Sequence, residues 1–389
     1  MFCKLVRFQE LTTSDLSVWK SLISAQPGYE SPFFHPFFTQ TVSTVRNDIW
    51  VLLHGRGEQL EFIWPLQKTG HSADPVGAPF SDYHGPILSP DWAGDLESVL
   101  AAVGLSSVRF TTLYDPKRRF FDTEIERDGA YICDLSKGAD AFFDEQAALY
   151  PKHAKKMRRL VRKFEREVGQ TEFQFDDRSE EHWQSVISWK RQQYQETGRH
   201  DVLAPDWVQN MMKTLWRDGI PECHGVLHTL VFNGRLVAGE FNLASDHVLH
   251  GWIPVYDDEF KAYAPGYLIL DEIIRAAAHR GYQELDLGVS AGHYKKYYSS
   301  YQMQVVRGVL RDTTSGLSIS KIGEDAWRWL EDAHVPKVSH LAGKVRRRYA
   351  MIRTVETSFS GRMSGMFGAA KQLRSPAVSE TNSTTTASD

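Results

Sequence analysis

The chain has 389 residues, two to three times the length of an ordinary single domain, so two domains with separate cores are expected. Its 42% hydrophobic and 24% charged shares are those of a globular protein, and no apolar run approaches the roughly 18 to 20 residues of a membrane span. Small disulfide-stapled modules and integral membrane proteins are thereby excluded. The net charge of −4 hides a division: residues 335–389 hold nine Lys and Arg against three Asp and Glu, which gives +6 there and −10 over residues 1–334. An acidic body argues against DNA binding, while a basic tail suits an anionic partner. The N-terminus carries no secretion signal, which predicts a cytoplasmic protein, and Cys3, Cys133 and Cys223 lack the spacing of a disulfide framework or a zinc site.

In chain order, residues 4–8 read as a strand and 14–25 as a helix, followed by an aromatic loop, Ser31-Pro32-Phe33-Phe34-His35-Pro36-Phe37-Phe38. The β-rich runs 49–54 and 60–66 flank Gly55-Arg56-Gly57-Glu58, a connection of hairpin length. A Gly/Pro-dense loop over 70–90, a helix ending near 103, and strands over 108–113 and 131–135 complete an N-terminal α/β domain, 1–150. Met157, Leu160, Val161, Phe164 and Val168 then recur at helical spacing over 151–168. Eight cations in fifteen residues, Lys152 to Arg166 with Arg159 among them, make that linker helix a solvated basic face or a site for the phosphates of a nucleotide- or lipid-linked substrate.

Helices are expected over 181–196 and 205–217. Three strands follow, 226–232, 235–244 and 247–256, turned by Asn233-Gly234 and Ser245-Asp246 into an antiparallel meander. Pro265-Gly266 opens a helix that stops at Arg280-Gly281, and 284–287 forms a strand ending at Gly288, which implies a right-handed parallel crossover. This second domain spans 151–334. Trp327, Trp329 and Leu330 end a packed helix, and 335–389 is expected to be a basic, partly disordered tail.

Several phrases carry a family resemblance: Pro36-Phe37-Phe38, Ser81-Asp82-Tyr83-His84-Gly85-Pro86, Trp189-Lys190-Arg191-Gln192-Gln193-Tyr194 with Gly198, Ala264-Pro265-Gly266-Tyr267-Leu268, Leu285-Asp286-Leu287-Gly288 and His293-Tyr294-Lys295. They resemble the CelD/BcsL family, GNAT-like proteins of bacterial polysaccharide synthesis, and within it the N-acetyltransferases of holdfast polysaccharide; more distantly they resemble the Fem transferases. The resemblance implies a mixed α/β fold of two tandem GNAT-like domains, each a mixed sheet with an antiparallel meander flanked by helices. It also implies acetyl-CoA as acyl donor, no metal, and an amino sugar on a nucleotide or lipid carrier as acceptor.

A helix N-terminus presents unpaired N–H groups and a partial positive charge, which suits a pyrophosphate. That assigns Tyr263, Ala264, Gly266, Tyr267 and Leu268 to coenzyme A, although Lys261 and Ala264 depart from the GNAT pattern Q/R-x-x-G-x-G/A. Acyl transfer to an amine needs a base, an oxyanion stabiliser and an acid for the leaving thiolate. Glu240 and His250 are the candidate bases, and Tyr294 and Lys295 follow a strand end that faces a ligand cleft. A lysine in a comparable late motif of the Fem relatives lies near the reacting groups. Asp82, Tyr83, His84, Gln193, Tyr194 and Asp286 are the expected acceptor contacts, with Trp189 more a core residue. No HExxH and no complete P-loop is present.

In the tail, Arg346, Arg347, Arg348 and Arg353 suit anionic phospholipid at the inner membrane or cyclic di-GMP. The expected activity is N-acetylation of an exopolysaccharide precursor. The alternatives are Fem-like aminoacyl transfer from tRNA, an O-acyl acceptor, and a non-catalytic effector whose tail binds nucleotide or membrane.

Overall fold

The computed structural model describes residues 1–116, 118–120, 124–289, 292–312, 349, 351–357, 361–363, 365 and 366. The chain divides into one unit, Met1–Gln192 with Asp206–Gly316, and a second, Gln193–Pro205 with Leu317–Asp389. In the second unit His200 Nε2 lies 3.3 Å from Glu356 Oε1, and Ile352 and Val355 are buried.

The first unit is built on one mixed sheet. Its first half contributes β1 (Phe2–Val6), β2 (Ile49–Arg56), β3 (Gln59–Thr69), β4 (Ser72–Pro75), a short β5 (Ile87–Leu88), β6 (Ser107–Leu113) and β7 (Glu124–Asp134). Helices α1 (Thr13–Ser24), α2 (Pro36–Val45) and α3 (Leu96–Ala102) lie among them, and α4 (Ala139–Leu149) and α5 (Pro151–Glu167) lead into the second half. There follow β8 (Glu172–Gln174), α6 (Glu180–Glu196), α7 (Asp206–Asp218), β9 (His224–Phe232), β10 (Arg235–Ala244), β11 (Val248–Tyr256), α8 (Pro265–His279), β12 (Glu284–Val289) and β13 (Tyr301–Arg311).

The two halves are built alike. β2, β3 and β4 form an antiparallel meander, α3 crosses over, and β6 returns parallel to β4; β9, β10 and β11 do the same, with α8 crossing to β12 parallel to β11. The sheet order β1-β2-β3-β4-β6-β13-β7-β12-β11-β10-β9-β8 reads the same arrangement outward from the centre in both directions. At that centre the strands are exchanged: β7, from the first half of the chain, pairs with β12, and β13, from the second, pairs with β6. β7 and β13 pair with each other from Tyr301↔Ile132 to Gly308↔Glu124 and join the two mixed sheets into one.

Each half has its own core. Ile269, Ile273 and Ile274 of α8 pack with Leu249, Leu285 and Val226, and Phe164 brings α5 onto the same cluster. On the opposite face Trp183 of α6 stands edge-on to Phe241 and stacks on Trp216 of α7, while Gly239 leaves room for Val186. In the first half Phe62, Trp64, Trp92 and Phe110 fill the core.

Several elements differ from the sequence reading. The aromatic stretch expected as a loop is a 3-10 turn, Pro32–Phe34, running into α2. Pro36 occupies the first helical position, where its missing N–H costs nothing, and the His35 ring caps the helix by accepting from Phe37 N at 3.2 Å. α4 and β13 lie where no element was expected, and β7 begins well before residue 131. The predicted helix at Trp327, Trp329 and Leu330 lies outside the described residues, as do Arg346, Arg347 and Arg348; Arg353 lies on a helical turn of the second unit.

Candidate active site

β11 and β12 pair only from Val248↔Glu284 to His250↔Asp286, after which β11 continues to Tyr256 while β12 ends at Val289. Parallel strands that part at their carboxyl ends open a cleft, and in open α/β sheets ligands enter there.

His250 sits at this fork, fully buried. Its Nε2 donates to Asp82 Oδ2 at 2.8 Å, and its Nδ1 lies 3.2 Å from Asp286 Oδ2. Asp82 comes from the loop between β4 and β5 and Asp286 from β12, so both halves of the sheet meet at one ring. Phe33 and Tyr83 stand edge-on to the imidazole, with centroids 5.0 and 5.7 Å away. Burial alone would lower the imidazole pKa, but Asp286 and then Asp82 outweigh it and raise it to about 10. At neutral pH the ring is an imidazolium and has no lone pair to accept a proton. The Tyr83 phenol is held protonated by burial first and by the Asp286 charge second.

Glu240, on β10, is the neighbouring buried carboxylate. Desolvation raises its pKa to about 7 against the opposing charges of Lys190, Lys295 and His250. With the Asn242 amide nitrogen facing it, Glu240 Oε1 accepts at 2.9 Å. Gly251 makes this position possible, because a Cβ there would lie 2.9 Å from the same oxygen. Gly288 is constrained twice over: its φ is +75°, and a Cβ would stand 3.3 Å from Asp82 Oδ2. Its N–H donates to Asp286 Oδ1 at 2.6 Å.

Lys295 opens the 3-10 turn Lys295–Tyr297 beyond β12 and is 7% exposed. Its Nζ donates to the carbonyls of Gly288 at 3.2 Å and Val289 at 3.0 Å. Burial pulls its pKa down, opposed by Asp82, Asp286 and Glu240. Burial, and then the Glu240 charge, keep the Tyr294 phenol protonated. The carboxyl groups of Asp82, Asp286 and Glu240 thus share this cleft with the charges of His250, Lys295 and Lys190.

Between β11 and α8 the chain makes a 3-10 turn, Asp258–Tyr263, and Ala264 then adopts the left-handed conformation at φ 53°. No side chain caps α8. The Gly266 N–H has no acceptor among the described residues, and a Cβ on Gly266 would meet only the Tyr256 ring at 3.6 Å. An anion therefore has both space and a donor at this end of the helix. Residues 151–296 match the acetyltransferase (GNAT) domain family.

No curated protein matches the sequence. Among solved structures the chain is similar to FemX, with 8% identity, 80% of this chain and 97% of that one covered, and a TM-score of 0.51. It is also similar to the C-terminal DUF2156 domain of a lysylphosphatidylglycerol synthetase from Agrobacterium fabrum, at 12% identity, 83% and 96% coverage and TM-score 0.48. A tandem GNAT protein from the clavulanic acid pathway matches at 10% identity, 82% and 100% coverage and TM-score 0.44. The FemX likeness shows a shared fold and carries no residue roles. With the domain match and the repeated half, it makes this a mixed α/β, GNAT-type fold.

Of the sequence-derived candidates, Asp82, Tyr83, Glu240, His250, Asp286, Tyr294 and Lys295 come together. His84 does not face the cleft: its buried ring accepts from Thr111 N at 3.3 Å and Thr112 N at 3.4 Å, pinning the loop to β6. Arg159 is exposed on α5. Gln193 and Tyr194, in the last turn of α6, belong to the second unit. Leu268 is in the core, Tyr263 packs on Phe164, and Tyr267 stands by Tyr294 with centroids 6.2 Å apart. Sequence reasoning missed Phe33, Asn242 and Gly251. A glycine beside a histidine in an apolar strand was the available signal, since strand glycines mark close approaches.

Proposed function

We propose that the protein is an acyl-CoA-dependent N-acyltransferase that moves an acetyl group from acetyl-CoA to the amine of an amino sugar in a holdfast-like exopolysaccharide precursor. The observation that carries this reading is Glu240, a buried carboxylate with pKa about 7 at the fork of a GNAT-type sheet. In this reading Glu240 takes a proton from the acceptor ammonium, and the freed amine attacks the thioester carbonyl carbon. The Lys295 ammonium offsets the charge on the tetrahedral oxygen, the carbon–sulfur bond breaks, and the Tyr294 phenol protonates the departing thiolate and is itself reprotonated by the second proton the nitrogen sheds as the amide forms. His250 holds Asp82 and Asp286 in place and transfers no proton. Gly266 N–H, at the uncapped start of α8, meets the pyrophosphate of the donor.

Calorimetric titration with acetyl-CoA, beside a Gly266→Glu variant that repels the pyrophosphate, tests the donor. Micromolar binding lost in the variant is expected; absence of wild-type binding shifts the reading to aminoacyl-tRNA as donor or to a non-catalytic role. With a working acceptor, Glu240→Gln is expected to lower kcat by about 10²- to 10⁴-fold. It should also abolish the rise of rate with pH through about 7. Retained rate and profile would move the base elsewhere.

A further inference from the structure

α5 carries a second, separate surface. Met157, Leu160 and Phe164 are its buried side chains, and Phe164 lies against Phe260 and Tyr263. Seven of its eight cations, all but Lys163, are exposed. Lys152, Lys155, Arg159, Arg162 and Arg166 succeed one another at steps of three and four residues, so they form one straight stripe on the face turned from the core. At 1.5 Å per residue that stripe is about 21 Å long. Glu167 engages Arg166 at 2.6 Å and Lys163 at 3.9 Å. Lys152, Lys155, Lys156, Arg158, Arg159 and Arg162 have no carboxylate partner among the described residues. Immediately before the helix, Leu149 is 65% exposed.

We infer that this face of α5 docks on a bilayer containing anionic phospholipid. The cations are exposed along about 21 Å of one helix face, so they match charges spread over a plane better than a single diphosphate. Leu149, the exposed last residue of α4, adds an apolar side chain next to the start of the stripe. A nucleic acid fits less well, because no exposed aromatic is interleaved with the cations and the surrounding body is acidic. α5 also adjoins the start of α8: His153 stacks on Tyr297 at 4.2 Å and lies 5.5 Å from Tyr267. A docked α5 therefore brings the cleft to the membrane surface and, if the acyl transfer proposed above holds, to an acceptor carried on a lipid.

The test is sedimentation of the full chain with vesicles of phosphatidylcholine alone or with roughly a third phosphatidylglycerol, at low and at physiological salt. Wild type should partition onto the anionic vesicles only, and less at higher salt. The variant Lys155→Gln, Arg159→Gln, Arg162→Gln, Arg166→Gln should lose at least about 100-fold in partitioning, from roughly fivefold per charge. Leu149→Asp should weaken binding with every cation intact. Glutamine keeps helix propensity, and an unchanged thermal transition checks the fold of each variant. No binding by wild type overturns the proposal, as does undiminished binding by the four-site variant, which moves the contact to the tail. Binding of tRNA but not of vesicles, lost in the same variant, overturns it in favour of a nucleic acid. None of these readouts requires turnover, so a failed donor titration leaves them interpretable.

Discussion

His250 holds its charge in a place where water does not reach, and the two carboxylates that stabilise it come from opposite halves of the sheet. Removing one member of a buried ion group leaves the others unpaired, at a cost of about 3–5 kcal/mol. His250→Asn is therefore expected to lower stability by about 3 kcal/mol or more in urea unfolding at pH 7; a loss below about 1 kcal/mol would mean that Asp82 and Asp286 are separately solvated. The pH window follows from the direction of the shift. The folded pKa, about 10, lies above the usual 6.5, so this contribution is full below pH 6.5 and fades as pH rises through 10. His228 behaves in the opposite sense. It is fully buried against Phe175, neither ring nitrogen has a partner among the described residues, and burial lowers its pKa to about 3. A neutral His228 is compatible with the fold above pH 6.5, and stability is lost as pH falls from there toward 3. His228→Leu should thus be neutral to stabilising at pH 7, and its advantage should grow at pH 5. A variant that weakens the protein equally at both values would show that the ring has a polar role.

At the scale of elements, the start of α8 combines a residue that resists its backbone conformation with a helix that lacks a cap. Ala264 at φ 53° sits where an L side chain costs about 1 kcal/mol, and the GNAT pattern has glycine at this place. Ala264→Gly should raise stability by about that amount, measured by thermal unfolding, and leave the helix intact. A loss would mean that the alanine methyl makes contacts worth more than the strain. The meander, the crossover and α8 were legible in the sequence because Asn233-Gly234, Pro265-Gly266 and the apolar periodicity are local signals. The fork of β11 and β12 was not, since it depends on where pairing stops. Nor was the charge state of His250: an isolated histidine in a strand gives no hint that Asp82, 168 residues away, lies 2.8 Å from it. α2 was missed because proline in Pro36-Phe37-Phe38 reads equally as a loop or as the first residue of a helix.

At the scale of the whole molecule, the exchange of β7 and β13 binds the two halves of the sheet into one folding problem. Val305, fully buried on β13, pairs with Asp128 in the middle of the sheet. Val305→Pro removes a ladder hydrogen bond from a central strand, a place that excludes proline. Both halves should then unfold together: fluorescence of variants keeping Trp64 as the reporter of the first core or Trp216 as that of the second should change at the same urea concentration. Separate midpoints would mean that the halves fold independently and that the exchanged strands only connect them.

The position of β13 also orders events during synthesis. Among the described residues it is the last strand of the sheet to leave the ribosome, yet its place is between β6 and β7, both already made. Until Tyr301–Arg311 arrives, the nascent chain holds two sheet edges with unpaired N–H and C=O groups, which invite pairing with a neighbouring nascent chain. A ribosome that stalls shortly before residue 301 therefore releases a product with both halves made and the seam between them open.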